Sequence, residues 1–312
     1  MSVVVIGDVN VDLEIMLPVS GTDGIEHTHP DPQLSGGGSA ANTAAALARL
    51  GVVTRFVGTV GSDAHGTEAV ASLSDAGVDT SALRVAGTGH TVMVLVVVPP
   101  GGERIIYVWP PRGGAHLEIG AEEAFAGVEG ASWLHVSGIA LRGEPASASI
   151  LAAMDEARSG GATVSLDLNL RLENWGWESN FRETITDAVG RSDLVLGGAV
   201  EELCPLAGVG DPVLAVAELA IGDRMVVGRL GGDGALAHYG DRSYRSEGFE
   251  VEVVDTVGAG DAFDAGFIAA RLREEPVEKA LRYGNAVAAI TIGRSGARST
   301  PTHEEVVALL GA

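Results

Sequence analysis

Gly258-Ala259-Gly260-Asp261 stands where an apolar, helix-like run begins. The first N–H groups of a helix have no intrahelical acceptor and lie at the positive end of its dipole, so small residues there form a cradle for an anion. Without bulky side chains, a phosphate can approach the backbone closely. Asp261 follows in the first turn, within reach of a hydroxyl held beside that phosphate. Phosphoryl transfer to an alcohol needs this pairing: charge neutralisation on the moving group and a carboxylate to take the hydroxyl proton. A first-turn acid is also what helix stability favours, by about 0.3–1 kcal/mol, so Gly-x-Gly-Asp alone does not decide between the two roles. Asp264 lies one turn further along, but Phe263 and Phe267 mark much of that helix as core.

The composition narrows what could surround this segment. The chain has 312 residues, 46% of them apolar, enough for one large α/β domain with a sizeable core. Its net charge is -22, a field that repels nucleic-acid backbones. There is one lysine, Lys279, against nineteen arginines, and no Gly-Lys pair, so a P-loop is excluded. Any phosphate clamp must come from arginine, backbone N–H groups or a metal. Cys204 is the single cysteine, which rules out an intramolecular disulfide and a thiolate cluster. The start of the chain lacks the basic segment of a signal peptide, and the apolar run Val92 to Val98 is too short to span a membrane. A cytoplasmic protein without membrane or nucleic-acid partners is expected.

The elements that position the segment follow from periodicity. Val3 to Ile6 is a continuous apolar run ending in Gly7-Asp8, as in a buried parallel strand. Residues 39–50 are alanine-rich and end at Gly51, predicting a helix. Strand 55–60 and helix 66–76 follow. Further strands are predicted near 132–137, 163–168, 193–196, 225–230 and 235–239. Helices are predicted near 146–158, 180–189, 212–220, 259–273, 276–292 and 303–310. Such alternation predicts an α/β fold, a central mostly parallel sheet flanked by helices, over residues 1–312. Two excursions, 11–35 and 88–112, are predicted to form a small separate β-sheet, a lid over a site between the two sheets.

With these elements in place, Asp255-Thr-Val-Gly-Ala-Gly-Asp-Ala-Phe resembles the signature of the ribokinase-like (PfkB-type) carbohydrate kinases, and Gly36-Gly37-Gly38-Ser39-Ala40-Ala41-Asn42 resembles their N-terminal motif. The order and separation of the two motifs also fit, and the resemblance spans essentially the whole chain. It is closest to the fructokinase and 2-keto-3-deoxygluconate kinase branches, through Asp167-Leu-Asn169-Leu-Arg171 followed by Trp175. It implies an ATP-dependent kinase using Mg²⁺, with Asp261 as base and Gly258, Ala259 and Gly260 as anion hole. Asp12 is implied to grip sugar hydroxyls, Gly36 and Gly37 to pass under the substrate, and Asn42 to hydrogen-bond it. Arg171 would bridge substrate and phosphate. Asn169, Arg229, Gly231, Gly234 and Asn285 are implied on the nucleotide side. Glu201 matches the acid of an Asn-x-x-Glu motif that organises magnesium through water, but Gly198 stands where the asparagine belongs. A monovalent cation such as K⁺ would sit near Asp255 and the Gly296–Thr300 stretch.

The acceptor is less legible. Arg104 or Arg112 suits a carboxylate, and equally a solvated hairpin. Tyr107 and Trp109 share a strand face that could stack on a sugar, fill the lid core or meet a second copy. His27 and His29 are expected to be exposed. A sugar or sugar-acid kinase is the leading reading. A nucleoside kinase of the same fold and a catalytically retired sugar-binding protein are the alternatives. Apolar lid residues such as Ile15 and Leu17 predict a homodimer through the lid.

Overall fold

Val3, Val4, Val5 and Ile6 are all buried, as a strand covered on both faces requires. In the computed structural model, which describes residues 2–16, 32–98, 105–110 and 113–311, they belong to β1 (Ser2–Ile6). Along the chain follow β2 (Asn10–Met16), β3 (Gln33–Gly37), β4 (Val53–Val60), β5 (Leu83–Val85), β6 (Val92–Val98), β7 (Ile105–Trp109), β8 (Trp133–Ser137), β9 (Thr163–Asp167), β10 (Leu194–Gly198), β11 (Met225–Arg229), β12 (Ala235–Tyr239) and β13 (Arg242–Ser246).

The large sheet has the order β13-β12-β11-β10-β9-β8-β1-β4-β5. It is parallel except where β12 meets β11 and β13. The chain proceeds from β1 to β4 and β5 on one side, then from β8 onward on the other. Strand order therefore reverses beside β1, and open α/β sheets bind ligands beyond the carboxyl ends of their strands at such a point. Gly7, Asp8, Asp167 and Arg229 all stand at those ends.

A second sheet has the order β3-β2-β6-β7. Its central pair β2 and β6 is parallel and its outer pairs antiparallel. It is built from the excursions expected at 11–35 and 88–112. Arg104, Arg112, Leu17, His27 and His29 lie outside the described residues.

The predicted helices form at Ser39–Arg49, Ala64–Asp75, Ala146–Ser159, Ser179–Gly190, Pro212–Leu219, Ala259–Leu272, Val277–Ile292 and His303–Gly311. The helix Ala121–Val128 and strands β5 and β13 are additional. β5 has only three residues, and β13 reads Arg-Ser-Tyr-Arg-Ser, a mostly exposed edge without an apolar run.

Small residues bring three helices close together. Ser39 through Leu47 are all buried, and this alanine-rich helix packs on Ala259–Leu272. A Cβ on Gly7 would lie 2.7 Å from Ala40 Cβ, and one on Gly266 would lie 3.0 Å from Gly284 Cα. Phe267 is fully buried between these layers, a burial worth about 1.5–3 kcal/mol. The start of Ala259–Leu272 is thus held rigidly against the start of Ser39–Arg49.

Candidate active site

Asp261 is 7% exposed in the first turn of its helix. Its two carboxylate oxygens are held from the neighbouring helix start: Ser39 Oγ donates to Oδ1 at 2.6 Å and Asn42 Nδ2 to Oδ2 at 2.9 Å. Asn169 Nδ2 in turn donates to Ser39 Oγ, and to Asp167 Oδ2 at 3.3 Å. Burial raises the Asp261 pKa to about 6, and the Asp167 charge acts the same way, against the bonds from Ser39 and Asn42 and the charge of Arg171. At neutral pH Asp261 is therefore mostly ionised yet basic enough to accept a proton, the balance a general base needs.

Gly258 begins this helix at φ +77, a left-handed conformation, and a Cβ there would lie 2.6 Å from the Ala297 carbonyl. Glycine is required on both counts. The first backbone bond of the helix runs from Ala262 N–H to the Gly258 carbonyl at 2.8 Å, while Ala259 N–H turns back to Thr256 at 3.3 Å. Asp255 fixes the approach to this turn by accepting from Val257 N–H at 2.9 Å and Gly296 N–H at 3.1 Å.

Behind the helix start lies an ionic cluster. Arg229 donates to Asp264 at 2.6 Å and Asp167 at 2.8 Å, with Glu202 at 3.5 Å. Burial alone would lower its pKa, but the three carboxylates outweigh that and hold it well above the usual arginine range. Asp264 is fully buried against Arg229. Among the described residues its Oδ2 has no hydrogen-bond partner. The guanidinium carbon lies 3.4 Å from where a Gly260 Cβ would stand. A positive group thus sits directly under the proposed anion cradle.

On the small-sheet side, Asn10 Nδ2 donates to Asp12 Oδ1 at 2.7 Å. Burial raises the Asp12 pKa to about 6, opposed by Asn10 and by the charge of Arg298, and assisted by Asp8 and Glu14. A Cβ on Gly37 would lie 2.5 Å from both Asp12 oxygens, so glycine leaves room for this carboxylate. Asp8 holds the start of Ser39–Arg49 by accepting from Ser39 N–H at 2.7 Å and Ala40 N–H at 3.2 Å.

Gly231, Gly234 and Asn285 gather around the end of β13. Asn285 Nδ2 donates to the carbonyls of Ser246 at 3.1 Å and Glu247 at 3.0 Å. Gly234, at φ +88, leaves space where a side chain would overlap the Ser246 carbonyl. Asn285 thereby clamps the wall of this region.

Two of the residues named from the sequence lie at the surface. Arg171 is exposed, at φ +47, and acts on Asp261 through its charge. Glu201 is exposed, whereas Glu202 is turned inward and accepts from the N–H groups of Gly198 and Leu170, both at 2.6 Å. Ala199–Leu203, which carries both glutamates, forms one wide π-helical turn. Ser39, Asp167, Glu202 and Arg298 were given no role from sequence. Ser39 and Asp167 lie inside the motifs quoted, but Arg298 meets Asn42 only through contact across 256 positions.

No group of three or more His, Cys, Asp or Glu among the described residues is arranged to hold a metal. The carboxylates of Asp167, Glu202 and Asp264 are engaged with Arg229. The donor set suits a magnesium ion carried mainly by triphosphate oxygens and water, as Mg²⁺ commonly is, and not an all-protein cage.

Residues 1–304 match the pfkB family carbohydrate kinase model. An ATP-dependent ribose-1-phosphate kinase of Halopiger xanaduensis is 37% identical over 279 residues, 88% of this chain and 86% of the relative. A 5-dehydro-2-deoxygluconokinase of Shouchella clausii is 30% identical over 88% of this chain and 86% of its own length. The fructokinase of Vibrio cholerae O395, solved with fructose, ADP and calcium, superposes with a TM-score of 0.83 at 29% identity, covering 99% of this chain and 98% of that one. Family match, relatives and superposition agree with the two-sheet architecture: the chain belongs to the pfkB family of carbohydrate kinases.

Proposed function

We propose that this sugar kinase transfers the γ-phosphoryl group of ATP to a hydroxyl of a small sugar or sugar acid, with Asp261 as the base. The observation that carries this reading is the Asp261 carboxylate, buried at a glycine-rich helix start and held by Ser39 and Asn42 at 2.6 and 2.9 Å. Asp12 binds acceptor hydroxyls and brings one of them toward Asp261, which takes its proton as the oxygen attacks phosphorus. The cradle Gly258–Gly260 and the charge of Arg229 beneath it stabilise the negative charge that shifts onto the phosphoryl oxygens and ADP. Magnesium, when bound, neutralises charge on the triphosphate. Glu202 faces that region and takes the water-ordering role expected of Glu201. Gly231, Gly234 and Asn285 form the nucleotide side, and Arg171 reaches toward the moving phosphoryl group.

The small sheet leaves Leu34, Ile105, Ile106, Tyr107 and Trp109 exposed. Ile15 is half-buried. This apolar surface supports a homodimer through the lid. A carbonyl-lined K⁺ site beside Asp255 also belongs to this reading. No helix among the described residues is long and apolar enough to cross a membrane, and a cytoplasmic location suits an ATP-consuming enzyme.

The test is ADP release with ATP and Mg²⁺ against a panel of sugars, sugar acids, ribose 1-phosphate and nucleosides, with the phosphorylated position located by NMR. The reading expects a sugar-type acceptor. Turnover confined to nucleosides would overturn the substrate class, and saturable sugar binding without any turnover would overturn the kinase assignment.

A further inference from the structure

Arg298 comes from the loop after the helix Val277–Ile292 and joins three separate elements through one planar group. Its Nε donates to Asn42 Oδ1 at 3.1 Å, Nη1 to Ser72 Oγ at 2.6 Å, and Nη2 to the Gly37 carbonyl at 2.9 Å. These partners lie at the start of Ser39–Arg49, on Ala64–Asp75 and at the end of β3. All three are neutral, and among the described residues Arg298 enters no ion pair. Arg229, by contrast, has three carboxylates around it. Burial lowers the Arg298 pKa to about 10, opposed by the charges of Asp12 and Asp261, so it remains a cation at neutral pH. A half-buried cation bonded only to neutral acceptors gains little from ion pairing, so what its three bonds hold in place is the question.

The geometry at Asn42 supplies one. A guanidinium has donors only, so the amide must turn its oxygen toward Arg298. The Asn42 NH₂ then faces Asp261 Oδ2 at 2.9 Å. Without the guanidinium the amide can rotate and present oxygen to the carboxylate, a repulsive contact. Gly36 belongs to the same arrangement, because a side chain there would overlap Arg298 Nη1 and Ser72 Oγ. Its glycine makes room for the guanidinium.

We infer that Arg298 is a positioning residue for phosphoryl transfer: it fixes the Asn42 amide toward the base and ties it to the Gly37 carbonyl beside Asp12, so that the carboxylate holding the acceptor and the one taking its proton share one frame. This rests on the kinase reading above. The charged groups facing Asp261 from the packed elements are Asp167 at the end of β9, Arg171 beyond it, Arg229 at the end of β11, Asp264 on its own helix and Arg298 itself. Removing the Asn42 donation leaves the acidic neighbours less opposed, so the Asp261 pKa moves upward.

The test compares wild type, Arg298→Lys, Arg298→Met, Asn42→Ala and the Asn42→Ala/Arg298→Met double variant, measuring kcat, both KM values, the kcat–pH profile and Tm. Wild-type turnover checks the kinase reading, and the variants relative to it check Arg298. The expected result is a fall in kcat of about 30-fold or more in Arg298→Met, with the acid limb of kcat moving to higher pH and the KM for ATP within about threefold. Arg298→Lys is expected to rescue little, since one ammonium cannot meet three acceptors in a plane. In the Asn42→Ala background the Arg298 substitution is expected to cost less than about threefold further. Wild-type kcat and pH profile in Arg298→Lys, or equal losses in both backgrounds, would overturn the inference. If Arg298→Met fails to fold, Arg298→Lys and Asn42→Ala decide it: losses in kcat of similar size with a common shift of the acid limb support the relay, and a loss in only one of them refutes it.

Discussion

The acid side of the pH–rate profile should fall with the square of proton concentration, because two buried carboxylates titrate together. Burial raises both Asp12 and Asp261 from 3.8 to about 6. In the proposed mechanism both are anions, Asp12 accepting hydrogen bonds from acceptor hydroxyls and Asp261 accepting a proton. At pH 5 a group with a pKa of 6 is about one-tenth ionised, so free enzyme with both ionised falls to about 1%. Between pH 7.5 and 5, kcat/KM for the acceptor should drop about 100-fold. Unperturbed carboxylates would lose only about a tenth of their activity over the same range. Bound acceptor hydrogen-bonds ionised Asp12, so kcat should fall with slope one and only about tenfold. The assay is coupled ADP release at fixed free Mg²⁺, with Asp12→Asn run alongside. ATP titrates in this range too, but equally for both enzymes. The variant should lose one unit of slope from kcat/KM and keep the slope in kcat. A kcat/KM that is flat to pH 5, or a slope unchanged in Asp12→Asn, would refute the reasoning.

Other perturbations test the frame around the base. Arg229→Met leaves Asp167, Glu202 and Asp264 facing one another without their cation, and should cost about 3–5 kcal/mol of stability in chemical denaturation. An unchanged denaturation midpoint would show that the cluster is not buried as described. Gly37→Ala places a methyl group against the Asp12 carboxylate. It should raise the acceptor KM about tenfold or more while leaving the KM for ATP nearly unchanged, and an unaltered acceptor KM would remove Asp12 from the acceptor site.

The fold was largely legible because its signals are local. Val3 to Ile6, the alanine-rich run from Ser39 and the glycine-to-aspartate start at Gly258 each carry their own period or cap. β13 escaped because its stability comes from pairing with β12, not from apolar residues of its own. At the site, Asp261, Asn42 and Asp12 were readable because they lie in short motifs. Glu202 was not, because its bonds to the N–H groups of Gly198 and Leu170 form only once the chain has folded. Arg298 was not, because its contacts to Asn42, Ser72 and Gly37 exist only after long-range packing. Arg229 was placed near the nucleotide by its glycine-rich turn, but only tertiary structure shows its three carboxylate partners.

The most direct test of the central claim is turnover by Asp261→Asn beside its stability. Raising the Asp261 pKa from 3.8 to about 6 means that its ionised form costs the folded state about 3 kcal/mol at pH 7. A carboxylate with a raised folded-state pKa adds stability at acid pH that is lost as pH climbs from 3.8 through 6. The neutral amide removes that cost but gives up one of the two acceptor oxygens that Ser39 and Asn42 use, so the two effects offset and a measured Tm separates unfolding from lost chemistry. The account predicts a fall in kcat of about 10²–10⁴-fold, with KM values for ATP and acceptor within a few-fold and no drop in Tm. A kcat within tenfold of wild type in a well-folded Asp261→Asn variant would contradict Asp261 as the base.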